Sequence, residues 1–65
     1  MKVKVNGFEI DVMADTIAKL LKELDINPSR VVVEVNLEIV KRAYFEQYKI
    51  KEGDSIEIVN FVGGG

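Results

Sequence analysis

There is no cysteine and no histidine among the 65 residues. The chain therefore cannot supply a disulfide, a structural zinc site, a thiol nucleophile or an imidazole base, which argues against an independent metalloenzyme or a triad hydrolase. No apolar stretch is long enough to cross a membrane, and the N-terminus opens into strand pattern rather than a signal-peptide core. The cytoplasm is the expected address. Nine basic against eleven acidic residues give a formal net charge of -2, and neither a basic face nor aromatic stacking platforms stand out, so no nucleic-acid partner is expected. At this length one domain is expected, with a core barely large enough to fold unaided.

What is present is patterned. Met1, Val3 and Val5 alternate with Lys2 and Lys4, Phe8, Ile10 and Val12 alternate with Glu9 and Asp11, and Asn6-Gly7 lies between the runs. A hairpin closed there pairs Val5 with Phe8, Val3 with Ile10 and Met1 with Val12 on one face, and Lys4 with Glu9 and Lys2 with Asp11 on the other. The period then changes. Ile17, Leu20, Leu21 and Leu24 follow a helical stripe with Lys19, Lys22 and Glu23 outward; Thr16, or Asp15 beside it, is the expected N-cap, and Asn27-Pro28 the expected stop.

Val31–Val35 reads as a third strand with its odd positions on one side, Asn36-Leu37-Glu38 as a turn, and Ile39-Val40 as a short extended piece. Residues 41–52 read as a helical turn or an irregular crossover in which Ala43, Tyr44, Phe45 and Tyr48 seal one end of the core. Glu52-Gly53-Asp54 signals a turn, and residues 55–61 the last strand.

This order suits an α+β roll: a mixed sheet of four to five strands packed on one main helix, with the last strand parallel to the first and central. Parity sends Ile56 and Ile58 toward the helix and Glu57, Val59 and Phe61 away from it, with Val32 and Glu34 sharing the outer face. Val59, Phe61 and Val32, with Val62 at the root of the tail, are the candidate partner-binding residues. The domain is expected to occupy residues 1–62, and Gly63, Gly64 and Gly65 to form a flexible arm ending in a carboxylate. That carboxylate is the candidate reactive group.

The Asn6-Gly7 hairpin, Thr16 with Leu20-Leu21, Val33–Asn36 with Ile39–Arg42, Glu52–Ile58 and Phe61–Gly65 together resemble the thiamine-biosynthesis sulfur carriers, which are ubiquitin-like β-grasp proteins. The family often has tryptophan after the block at 40–42, where this chain has Tyr44 and Phe45. The resemblance implies a co-substrate rather than an enzyme, with no cofactor of its own. An E1-like adenylating enzyme would use ATP and Mg²⁺ to adenylate the Gly65 carboxylate, a sulfur-donating enzyme would supply sulfur for the thiocarboxylate, and thiazole synthase would receive it. Gly64 and Gly63 would thread the tail into the partner. The small subunit of molybdopterin synthase and other sulfur carriers or ubiquitin-like modifiers are similar, and a β-grasp binding module without carrier chemistry is the alternative from another class.

Overall fold

Alternation in the first twelve residues folds into a hairpin with the expected register. In the computed structural model, which describes residues 1–61, β1 (Lys2–Val5) and β2 (Phe8–Asp11) pair antiparallel, with Val5 opposite Phe8 and Lys2 opposite Asp11. Asn6 and Gly7 both take positive φ, 52° and 85°, the pair of left-handed residues that lets a two-residue turn follow the twist of its strands. Two details differ from expectation. Phe8 shares the apolar face yet is 74% exposed, because that end of the hairpin lies beyond the core. The side-chain ion pair across the strands is Lys2–Glu9, at 4.0 Å, diagonal to the register, and Asp11 pairs instead with the Met1 ammonium at 3.1 Å.

Helix α1 (Ile17–Glu23) buries Ile17, Leu20 and Leu21, and Thr16 is its N-cap: the Thr16 hydroxyl accepts from the Lys19 amide at 3.2 Å. The amides of Ile17 and Ala18 donate to the carbonyls of Tyr48 and Phe45 at 3.1 and 2.8 Å. Segment 41–52 thus satisfies donors that a helix start leaves unpaired. Its other end corrects the sequence reading, since α1 stops well before Pro28. The Ile26 amide reaches back to the Leu21 carbonyl and the Asp25 amide to that of Lys22, with Asp25 at φ 60°. This is a Schellman closure with aspartate where glycine is usual, and Ile26, half-buried, packs against the core. Pro28 instead opens a 3₁₀ turn, Pro28–Arg30, capped by the Asn27 side chain.

Strand β3 (Val31–Val35) buries its odd positions. The turn after it is tighter than expected: Asn36 and Leu37 alone form it, at φ 53° and 74°, and Glu38 already belongs to β4 (Glu38–Val40) opposite Val35. A 3₁₀ turn at Arg42–Tyr44 follows, and of the rings expected to seal the core Phe45 is buried, Tyr48 half-buried and Tyr44 exposed, as is Ala43. Strand β5 (Ser55–Asn60) closes the sheet in the order β2-β1-β5-β3-β4, parallel to β1 and antiparallel to β3. It is the central strand. Ile56 and Ile58 face α1 and join Val3, Val33, Val35, Leu20 and Leu21 in one continuous core.

Candidate docking face and tail root

Two strands fix where the tail leaves the sheet. The β3–β5 ladder runs from Val35 opposite Ile56 to Val31 opposite Asn60, and the Phe61 amide adds one more bond, to the Arg30 carbonyl at 3.0 Å. On the β1 side the backbone ladder gives out earlier, but a side chain continues it. The Ile58 amide donates to Asn6 Oδ1 at 2.7 Å, and Asn6 Nδ2 donates to the Ile58 carbonyl at 3.1 Å. Asn6 therefore serves twice, as the left-handed turn residue and as a clamp on the strand that leads to the tail. Sequence reasoning used only the first role; the second needs the parallel pairing of distant strands.

The start of β5 is fixed by a second asparagine. The amide of Asn36 donates to the Ser55 carbonyl at 2.8 Å, its side-chain oxygen accepts from the Ser55 amide, and its side-chain nitrogen donates to the buried Asp54 carboxylate. Asp54 also accepts from the Lys51 amide at 2.8 Å. The central strand is thus held at its start by Asn36 and at Ile58 by Asn6, asparagines from the two tight turns.

The outer face of the sheet, away from α1, carries the residues singled out in the sequence. Val59 and Val32 stand directly opposite one another, 58% and 40% exposed, and Phe61, two residues beyond Val59, is 42% exposed. Phe61 does not fold over the core. The next pair on the same face is Glu57 opposite Glu34, with Ile39 of β4 opposite Glu34 on its other side and itself exposed. Beside the root of the tail, Asp25, Ile26, Asn27 and Arg30 line a shallow groove with Asn60 and Phe61. The remaining candidates, Val62, Gly63, Gly64 and Gly65, lie outside the described residues.

Among the described residues no group of three or more acidic side chains is placed to hold a metal ion, and no helix is long and apolar enough to cross a membrane. A perturbed carboxyl lies far from the tail in sequence. Hydrogen bonding from Lys19 and the charges of Lys19 and Lys49 hold the Asp15 carboxyl below its usual value, and the ammonium groups stand 3.2 and 3.5 Å from it. That cluster braces the start of α1 against the segment at 49–50. What the described surface offers is an apolar and acidic face, rigidly held, next to the point where the chain leaves the sheet.

Known proteins are similar to this chain. A thiazole synthase from Paramagnetospirillum magneticum is 44% identical over 66 residues, a match that takes in the whole chain but 20% of that protein. The chain likewise spans 20% of a second thiazole synthase, from Magnetococcus marinus. The sulfur carrier protein ThiS of Bacillus subtilis is 35% identical over 97% of this chain and 98% of its own. A crystal structure of the thiamine biosynthesis protein ThiS from Geobacter metallireducens superposes with a TM-score of 0.85 at 35% identity, covering all of both chains. That likeness extends to the five-stranded mixed sheet and single helix, a ubiquitin-like β-grasp fold. With residues 3–65 also matching the ThiS family model, the chain belongs to the ThiS family.

Proposed function

We propose that this protein is the sulfur carrier of thiamine biosynthesis, acting as a protein co-substrate through the Gly65 carboxylate. The observation that carries the reading is a tail-bearing strand clamped at the centre of the sheet by β1, β3 and Asn6, together with full-length similarity to a ThiS sulfur carrier. A carboxylate is a poor electrophile because oxide would have to leave. An E1-like adenylating enzyme, using ATP and Mg²⁺, supplies the remedy: a Gly65 oxygen attacks the α-phosphate, pyrophosphate departs, and the acyl adenylate then has AMP as leaving group. Sulfide-level sulfur from a donor enzyme displaces AMP, and a C–S bond replaces C–O. The carrier's own residues provide reach and recognition.

Four residues follow Phe61, and a fully extended chain of that length spans about 14 Å at most. The adenylating site would then lie within that reach of Phe61, and the exposed Val59, Phe61 and Val32, with Val62, are the apolar contact this reading assigns to it. Glycine at 63 and 64 suits a narrow channel, because no Cβ meets its walls. Thiazole synthase as the sulfur acceptor is supported by the thiazole synthases that contain a segment similar to this whole chain.

Intact-protein mass spectrometry after incubation with the adenylating enzyme, Mg-ATP and a sulfur donor tests the reading. One terminal oxygen should be replaced by sulfur. Deleting Gly65 should abolish loading, and Gly64→Ala should slow it without altering the melting temperature, while Gly63→Ala is tolerated better. Full loading of the Gly65-deleted protein would overturn the assignment.

A further inference from the structure

Glu34 and Glu57 are directly opposed across the β3–β5 ladder, side by side on the outer face. Like charges in this relation destabilise a sheet. Among the described residues neither carboxylate belongs to an ion pair. Among the described residues the flanking strands place no cation within ion-pairing distance of them: Ile39 stands opposite Glu34 on β4, and Lys4 of β1 stands opposite Ser55, two residues before Glu57. The acidic pair is bordered by Ile39 on one side and by the Val32–Val59 pair in the next row. Two unneutralised carboxylates set in an exposed apolar surface have the complement of a basic side chain with an aliphatic stem.

We propose, resting on the carrier reading above, that the Glu34–Glu57 pair is the seat for an arginine presented by the adenylating partner. A guanidinium is planar and carries donors on more than one edge, so it can serve both carboxylates at once, whereas its stem lies along Val32 and Val59. The seat lies on the strand that carries the tail, so the contact that neutralises the pair also sets the register in which the tail enters. An acidic or purely apolar partner surface would leave the repulsion in place and is rejected by it.

The test measures affinity of the adenylating enzyme for the wild-type protein and for E34Q, E57Q and the double variant, each at low and high salt. The double variant should bind about tenfold or more weakly at low salt, and its affinity should depend less on salt than that of the wild type. Its melting temperature should be equal or higher, since repulsion has been removed. Wild-type affinity and salt dependence in the double variant would overturn the acidic seat. Loading is read separately with saturating enzyme: failure of the wild type to gain sulfur would overturn the carrier reading, whereas normal loading with unchanged binding by the double variant would overturn the seat alone.

Discussion

The Asn6 carboxamide accepts from the Ile58 amide and donates to the Ile58 carbonyl, so a turn residue imitates the next residue of a parallel strand. Replacing it by alanine leaves both groups of Ile58 without these partners and puts a residue less tolerant of positive φ at 52°. Asn6→Ala should cost about 2 kcal/mol in urea unfolding, and amide exchange should quicken first at Ile58. Asp15 offers a different single-residue test. Its carboxyl is lowered by hydrogen bonding from Lys19 and by the Lys19 and Lys49 charges, so its contribution is present above the unfolded value and disappears as pH falls through the lowered folded value. The melting temperature of Asp15→Asn should fall below that of the wild type at neutral pH, and the two should converge in acid below about pH 4. A constant difference down to strong acid would show that the charge is not responsible. The clamp role of Asn6 was hidden in the sequence because it acts on Ile58, far along the chain, and no local pattern encodes such a meeting; for Asp15 the same holds of Lys49, whereas Lys19, its stronger partner, stands four residues away at a local helical spacing.

At the scale of elements, local pattern was far more informative. The first hairpin was legible because a single register put every apolar residue on one face, and β3 because its alternation is almost wholly β-branched. The end of α1 was misread since proline is a conspicuous stop, while the actual stop is made by backbone bonds around Asp25, a residue with no obvious terminating signal. The second turn shows the same limit, because Leu37 occupies a left-handed position that Gly7 fills in the first. Leu37 is 89% exposed and so has little packing to lose. Leu37→Gly should therefore stabilise the protein by roughly 0.5–1 kcal/mol, the relief of strain exceeding the added freedom of the unfolded chain; a lower denaturation midpoint would contradict this. On β5 the parity of the sequence separated Ile56 and Ile58 from Val59 and Phe61 correctly, but which residues would stand opposite Glu57 required the neighbouring strand. Phe61→Asp should weaken binding to the adenylating enzyme by about 2 kcal/mol with the melting temperature nearly unchanged, as a partly exposed ring outside the core demands. A large fall in melting temperature would show instead that the ring supports the fold.

For the whole molecule, the last strand of the described residues, β5, is the central strand of the sheet, joining the β1–β2 hairpin to the β3–β4 hairpin. During synthesis the two hairpins and α1 are made first, and the hairpins lack the strand that joins them until residues 55–60 are available. Until then Val3 and Val33, both fully buried once β5 is in place, border an open seam whose edges can pair with other chains. A chain truncated before Ser55 would thus expose that seam to chaperones and proteases, and the proposed docking face, to which β5 contributes Glu57 and Val59, would be incomplete in it.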